Sequence, residues 1–186
     1  MAKLPNHLIG AAGEYHVAAQ LSMRRWLATV TIKNAPGTDV LARHLDTGRL
    51  IAVQCKTTNA RGTLLLSKGD ERPDATDSEW YVLVIMAGVD ERPTFYVVPR
   101  NHMSALLWVN HRRWVAGTKA SGEPRMDTTM REGPIPWIAS YQEDWGALLA
   151  PPSAAPYRLP PWFLTALPAF GLPEGHPDAG RLLAGT

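Results

Sequence analysis

Two polar side chains end an otherwise apolar run of the sequence. In "IAVQCKTT", residues 51–58, Gln54 and Lys56 stand at alternate positions after Ile51 and Val53. Side chains in a β-strand point alternately to opposite faces, so the amide and the ammonium share one face. An amide inside a buried strand needs hydrogen-bond partners or a cation. The pattern therefore predicts a polar site at the end of a buried strand.

A predicted β-hairpin brings a carboxylate to the same face. "TDVLARHL" and "LIAVQCKTT" flank the turn signal "DTGR" and are typical of two antiparallel strands. With the loop centred on the "TG" of that turn, Asp39 faces Lys56 and Leu41 faces Gln54. Asp39, Gln54 and Lys56 then lie on one face. The opposite face takes an apolar set that suits a core: Val40, Ala42, Val53 and Cys55.

A second carboxylate comes from a predicted N-terminal helix. Residues 6–25 are rich in Ala and Leu, Asn6 can cap the first turn, and Arg24 and Arg25 suit the last turn. Glu14 is the one formally charged residue before Arg24 in this segment. A carboxylate on a core-facing stripe is costly unless something compensates its charge. At helical spacing Glu14 lies on an apolar stripe with Val17, Ala18 and Leu21.

Together these groups predict a site for phosphate chemistry. The carboxylates of Glu14 and Asp39 and the amide oxygen of Gln54 are hard ligands of the kind that Mg²⁺ prefers, and Lys56 adds a cation beside them. Each residue also has a plainer interpretation. Asp39 suits a turn, Lys56 can reach solvent from a strand end, and Glu14 is solvated if the helix is rotated. The shared face favours the site.

These residues resemble the PD-(D/E)XK nuclease superfamily, which includes many restriction enzymes and archaeal Holliday-junction resolvases. The resemblance rests on Glu14 in an N-terminal helix, then "PGTDV" with Asp39, then "VQCK" with Gln54 and Lys56, and it covers residues 8–100. It implies an α/β restriction-endonuclease-like αβββαβ core with a mixed central sheet flanked by helices. Two departures stand out. Pro36 lies three residues before the Asp, and Gln54 replaces the usual acidic residue.

The resemblance also implies an activity and a cofactor. We expect a metal-dependent endonuclease that hydrolyses DNA phosphodiester bonds with Mg²⁺ or Mn²⁺, and whose catalytic residues are Asp39, Gln54, Lys56 and Glu14. Asp39, Gln54, Glu14 and the carbonyl of Cys55 would bind the metal, while Lys56 would stabilise charge at the phosphate. The alternative is a catalytically inactive module of the same fold for DNA binding or protein interaction. Gln54 favours this alternative, because fewer carboxylates hold Mg²⁺ more weakly. A homodimer is possible for either function.

Basic residues concentrate in the middle of the chain. The net charge of +2 does not by itself indicate a nucleic-acid partner. Residues 100–131 nevertheless hold six Lys or Arg against two Asp or Glu, interleaved with tryptophans and histidines, which is typical of a surface for a nucleic-acid strand. Equally, the tryptophans of this segment can be core residues and its arginines solvated. The predicted DNA-binding residues are Arg100, Arg112, Arg113, Lys119, Arg125 and Arg131.

Length and composition predict one domain over residues 1–149, which the resemblance implies is nuclease-like, and a Pro-rich extension over residues 150–186. The extension contains eight of the sixteen prolines, and its aromatic residues indicate that it packs on the domain surface. A single cysteine excludes an internal disulfide, and no signal pattern is present, so we expect a cytoplasmic protein. The longest apolar stretch is about half of a bilayer crossing, so no membrane span is expected.

The remaining segments predict further elements around the hairpin. "WLATVTIKN" is typical of a strand before it, and "EWYVLVIMA" and "TFYVVP" are near-continuous apolar runs typical of central strands covered on both faces. "HMSALLWVNHRRWVAG" predicts a helix, and "SYQEDWGALLA" a last short helix.

Overall fold

The computed structural model describes residues 5–32, 37–59, 62–88 and 90–183. Pro36 lies outside the described residues. The chain divides into two compact units. The first, the sheet unit, comprises Met1–Arg61, Thr76–Pro99 and Tyr141–Ala155. The second unit comprises Gly62–Ala75, Arg100–Ser140 and Pro156–Thr186. The sequence-based boundary between residues 149 and 150 falls inside the last segment of the sheet unit.

Helices and strands are mixed along the described residues. The strands are β1 (Trp26–Val30), β2 (Val40–His44), β3 (Leu50–Thr58), β4 (Thr63–Ser67), β5 (Glu79–Ile85), β6 (Thr94–Pro99) and β7 (Met130–Pro134). The α-helices are α1 (Asn6–Ser22), α2 (Arg100–Val115), α3 (Pro161–Phe170) and α4 (Ala179–Leu183). Within the described ranges, no helix combines the length and the apolar character that a membrane crossing requires.

The sheet unit contains a mixed five-stranded sheet in the order β1-β2-β3-β5-β6. β3 and β5 are parallel, whereas the other neighbours are antiparallel. The predicted fold class, a mixed central sheet flanked by helices, is confirmed. One detail differs from the αβββαβ succession. In the connection from β3 to β5, the described residues 62–78 form β4 and a short 3-10 helix where the succession has an α-helix.

One apolar core holds the sheet unit together. α1 packs against β1, β2 and β3, and the predicted stripe of α1 faces this core, where Val17 and Leu21 are fully buried. Alternate residues of the strands meet that stripe, because one face of the sheet supplies every second side chain. The residues of β5 from Trp80 to Ile85 are all buried, as predicted for a central strand, whereas β6, for which the same was predicted, is the last strand of this sheet. The 3-10 helix Trp145–Leu149 adds Trp145 and Leu148 to the same core.

The ends of α1 differ from the sequence-based prediction. Pro5 occupies the N-cap position and no side chain caps the helix, so Asn6 does not cap it. The helix ends at Ser22, which leaves no basic residue in its last turn. Arg25 instead adopts a left-handed backbone conformation with φ of 67° and binds Asp46 with its guanidinium group at 2.6 Å. The arginine therefore connects the end of α1 to the β2–β3 loop.

The second unit contains a two-stranded antiparallel sheet that the sequence did not predict. β4 pairs with β7, and α2 packs against β7, α3 and the 3-10 helix Lys68–Glu71. The segment "SYQEDWGALLA", predicted as one short helix, holds only the end of the 3-10 helix Ile135–Tyr141 and, in the sheet unit, the 3-10 helix Trp145–Leu149. In α3, which has prolines at its start and inside it, Phe163 and Leu167 are fully buried.

Candidate functional site

The β2–β3 hairpin has a register that differs by two residues from the predicted one. Val40 faces Val53 and Leu41 faces Ala52, instead of Leu41 facing Gln54. The reason is the loop, which is closed between His44 and Arg49: the N–H of His44 donates to the carbonyl of Arg49 at 2.8 Å. A slip of two residues keeps every side chain on its predicted face. The apolar face is therefore confirmed, while Asp39 moves away from the position opposite Lys56.

Asp39 is fixed immediately before β2 by both neighbouring segments. Its N–H donates to the carbonyl of Val53 at 2.9 Å, and its carbonyl accepts the N–H of Thr31 at 2.9 Å. Its Oδ2 accepts the N–H of Cys55 at 2.7 Å and Nε2 of Gln54 at 3.2 Å. The structure thus brings Asp39 directly to Gln54 and Cys55.

Glu14 is positioned by an unusually close approach of α1 to β3. A Cβ atom added to Gly13 would lie 1.9 Å from Oγ1 of Thr57, so only glycine permits this contact between helix backbone and strand. Glu14 follows Gly13 and is half-buried. The contact therefore holds the helix turn that bears Glu14 against the end of β3.

The pKa of the Cys55 thiol is affected by the negative charges of the candidate site. Burial raises the pKa of the Cys55 thiol well above its usual value, and the negative charges of Asp39 and Glu14 raise this pKa further. Both carboxylates therefore lie close enough to act on one group of β3. The side chain of Cys55 packs against the apolar core, as the face pattern predicts, and the thiol stays protonated at neutral pH.

Lys56 completes the run on β3. It is half-buried and lies two residues after Gln54, so its side chain leaves the strand on the face that carries Gln54. In the register with β5, Gln54 faces Tyr81 and Lys56 faces Leu83. β3 thus presents the amide and the ammonium beside the parallel neighbour β5.

The candidate site offers oxygen ligands, which a hard divalent cation prefers, but only two of them are carboxylates. In the described ranges, no three His, Cys, Asp or Glu side chains converge closely enough to hold a metal ion. A cation here would need oxygen atoms from Asp39 and Glu14 together with the amide of Gln54 and the carbonyl of Cys55. In the present arrangement the amide nitrogen of Gln54 faces Asp39. If the side-chain amide of Gln54 turned by half a rotation, its oxygen would take the place of the nitrogen and could bind a cation beside Asp39.

Two of the predicted DNA-binding arginines are structural. Arg100 is 3% exposed, and its Nε donates to the carbonyl of Arg72 at 2.8 Å. Arg131 is 2% exposed and pairs with the carboxylate of Glu71, with Nη2 and Oε2 3.1 Å apart. Burial contradicts a phosphate-binding role for Arg100 and Arg131, because both guanidinium groups satisfy acceptors inside the second unit.

The other predicted cations are accessible and several contact tryptophans. The guanidinium of Arg112 lies 4.3 Å from the ring centre of Trp108, and that of Arg113 lies 4.0 Å from Trp162. Arg112 and Arg113 are exposed, whereas Lys119 is exposed and paired with Glu123 at 3.0 Å. Arg125 is half-buried, and its Nη1 donates to the carbonyl of Trp114 at 3.1 Å. The end of α2 is therefore a basic and aromatic surface.

Sequence reasoning missed two features of this arrangement. The first is Gly13. Its only sequence signal is its position next to Glu14, the one carboxylate of the predicted N-terminal helix. The second is a small cleft in the second unit beside Trp114, formed partly by β7. No sequence signal pointed to this cleft, because β7 was not predicted.

Two solved structures resemble this chain. Hjc from Archaeoglobus fulgidus, a Holliday junction resolvase from an archaeal hyperthermophile, is 12% identical with a TM-score of 0.44; the similarity covers 70% of this chain and 88% of that one. A bacterial homing endonuclease is 14% identical with a TM-score of 0.48, covering 77% of this chain and 92% of that one. No protein-family model and no curated protein sequence matches the chain. At these scores the likeness says nothing about chemistry, which depends on the geometry of the site.

Proposed function

We propose that this protein is a metal-dependent nuclease that hydrolyses phosphodiester bonds in DNA. The observation that carries the proposal is the double contact of Asp39 Oδ2 with the N–H of Cys55 and with Nε2 of Gln54. It joins the residue that precedes β2 to the run of β3 that ends with Lys56. The charge of Glu14 acts on the same part of β3.

The side chains would divide the work as follows. Asp39, Glu14, the amide oxygen of Gln54 and the carbonyl of Cys55 would hold Mg²⁺ or Mn²⁺. When bound, such an ion supplies Lewis acidity and lowers the pKa of a water molecule. The ammonium of Lys56 would stabilise the negative charge that develops on the phosphate as water adds to phosphorus and the bond to the leaving oxygen breaks.

The same contacts favour one alternative, a catalytically inactive module of this fold that binds DNA or a protein. Oδ2 of Asp39 already accepts two hydrogen bonds from within the chain. In an inactive module, the role of Asp39 and Gln54 would be structural only, because these hydrogen bonds connect β2 to β3. Sedimentation measures whether two copies of either form assemble as a homodimer.

Cleavage assays separate the two functions. End-labelled duplex, single-stranded and branched DNA is incubated with the protein while Mg²⁺ or Mn²⁺ is titrated. A nuclease gives metal-dependent product that Asp39→Asn and Lys56→Ala abolish. Matched controls are Asp46→Asn, which changes an exposed carboxylate paired with Arg25, and Lys68→Ala, which removes an exposed ammonium outside the predicted DNA-binding set. Absence of product at every metal concentration would support the inactive module.

A further inference from the structure

The second unit contains a small open cleft where the end of α2 meets β7. Its volume is about 140 Å³. Sites for whole drug-sized ligands or cofactors typically measure roughly 300–1,000 Å³, so this cleft suits a smaller group. It is lined by Asn110, His111, Trp114, Thr128, Met130 and Glu132. All six residues belong to the second unit.

One wall of the cleft is aromatic and held in place. His111 is buried, and its Nε2 lies 2.6 Å from Oδ1 of Asp127. The hydrogen bond from His111 is the main cause that lowers the pKa of the Asp127 carboxyl, so Asp127 is ionised and anchors the ring. The rings of His111 and Trp114 are nearly parallel, with an interplanar angle of 26° and centres 5.7 Å apart. Trp114 remains 40% exposed, which leaves an indole surface for a ligand.

Apart from Met130, the remaining lining is polar, and its exposed charged residue, Glu132, is an acceptor. Nδ2 of Asn110 donates to the backbone carbonyl of Glu132 at 3.3 Å, which connects α2 to β7. Oγ1 of Thr128 donates to the carbonyl of Met130 at 3.3 Å. The exposed carboxylate of Glu132 accepts hydrogen bonds and donates none when ionised. A small, flat ligand with adjacent hydrogen-bond donors fits this lining.

We propose that this cleft binds a single unpaired guanine base of a DNA strand. Guanine presents two neighbouring N–H donors on its Watson–Crick edge, which a carboxylate such as Glu132 can accept together. Unpaired bases are commonly recognised by contact with aromatic side chains and by hydrogen bonds to this edge. The guanidinium of Arg125 lies 5.1 Å from the ring centre of Trp114, and the exposed Arg112 follows His111 in the chain, so both provide cations beside the cleft for the phosphates that flank the base. The inference rests on the proposed function in one respect, because it takes DNA as the ligand.

The test compares labelled DNA duplexes that differ in one unpaired position. Fluorescence anisotropy, measured without divalent metal so that no strand is cut, gives affinities for a bulged guanine, adenine or thymine, an abasic bulge and the fully paired duplex. We expect the bulged guanine to bind roughly tenfold more tightly than the abasic bulge. Trp114→Ala should remove this difference, whereas Trp114→Phe should keep most of it.

A matched pair of variants tests the carboxylate. Glu132→Gln and Glu123→Gln each remove one negative charge from the second unit, so both raise general DNA affinity similarly. Only Glu132→Gln should reduce the preference for guanine over adenine, by roughly tenfold. Circular dichroism checks that each variant is folded. If Trp114→Ala does not fold, the Glu132 and Glu123 pair still decides the question.

The outcomes separate this inference from the nuclease proposal. Equal affinity for all five duplexes, or an identical effect of the two Glu variants, overturns the base-binding cleft even if the protein cuts DNA. A preference for guanine that depends on Glu132, without cleavage at any metal concentration, supports the cleft and rejects the nuclease. Failure to bind any of the duplexes overturns the cleft as a DNA-binding site.

Discussion

The backbone N–H of Cys55 donates to Oδ2 of Asp39 at 2.7 Å, so one carboxylate both joins β2 to β3 and marks the candidate site. A residue with two such roles complicates mutagenesis, because loss of activity can come from loss of structure. The pair of variants Asp39→Asn and Asp39→Ala separates the roles.

Asp39→Asn keeps an oxygen that accepts the Cys55 N–H, whereas Asp39→Ala leaves that donor without its partner. We expect Asp39→Ala to lower the free energy of unfolding by about 1–3 kcal/mol and Asp39→Asn to lower it by less. Both variants should lose metal-dependent cleavage, because both lack the charge. Urea titration followed by circular dichroism measures stability, and strand cleavage measures activity. Cleavage by Asp39→Asn at the parent rate would contradict the assignment of Asp39.

Gly13→Ala should destabilise the protein, because the new methyl group would overlap Thr57 on β3. Overpacking of this kind costs about 1–3 kcal/mol. Gly10→Ala is the matched control on the same helix, since nothing lies within 4 Å of a Cβ atom there. That control should stabilise the protein by up to about 1 kcal/mol through helix propensity. Thermal melts of both variants decide the matter, and equal stability of the two would show that α1 does not require close contact with β3.

Gln54→Glu tests whether the site binds metal. Without metal, the new carboxylate replaces a donor to Asp39 with a repelling charge, so the melting temperature should fall. In a nuclease, Mg²⁺ should raise the melting temperature of the Gln54→Glu variant more than that of the parent, because the ion binds the folded state. Gln142→Glu adds the same charge at an exposed position and serves as the control. If Mg²⁺ does not change the melting temperature of either the parent or the Gln54→Glu variant, the result favours the inactive module.

Arg112→Ala combined with Arg113→Ala should weaken DNA binding and flatten its dependence on salt. Each lost phosphate contact reduces the slope of log K against log salt by about 0.9, so the double variant should lose up to about 1.8. Arg112→Lys with Arg113→Lys keeps both charges and should leave the slope near the parent value. Fluorescence anisotropy across a salt series gives the slopes. An unchanged slope in the alanine variant would place the DNA surface elsewhere.

His176 should make the second unit less stable in mild acid. Burial lowers the pKa of His176, and the neutral ring is satisfied on both sides: Nε2 donates to the carbonyl of Asn101 at 3.0 Å, and Nδ1 accepts the N–H of Asp178 at 3.2 Å. The carboxylate of Asp178 opposes the lowering and the guanidinium of Arg181 adds to it. The unfolded chain therefore takes up a proton more readily, so stability is full above the unfolded pKa, about 6.5, and declines below it. Melting temperatures of the parent and His176→Gln, measured from about pH 7.5 down to about pH 5.5, should converge as the pH falls. A constant difference would show that His176 does not titrate in this range.

The sequence by itself determined the strands of the candidate site and the face on which each of their side chains lies. β3 and β6 have their predicted bounds, because short apolar runs closed by turn residues leave few alternatives. Alternation along β3 put Gln54 and Lys56 on one face, and the observed two-residue shift of the hairpin did not change this. The apolar stripe of α1 follows from helical spacing alone, whereas Glu14, which this spacing placed on the stripe, is half-buried.

The tertiary structure decided the register, the pairing and the burial of charge. The loop between His44 and Arg49 set which residue lies beside Asp39, and two loop lengths are compatible with the same turn signal. β4 and β7 are distant in the sequence, so the local sequence of neither strand predicts that the two strands pair. Arg100 and Arg131 are the same residue type as the exposed Arg112 and Arg113, and only their fixed acceptors distinguish them. Local patterns specify which face a side chain occupies, whereas its partners depend on segments that only folding brings together.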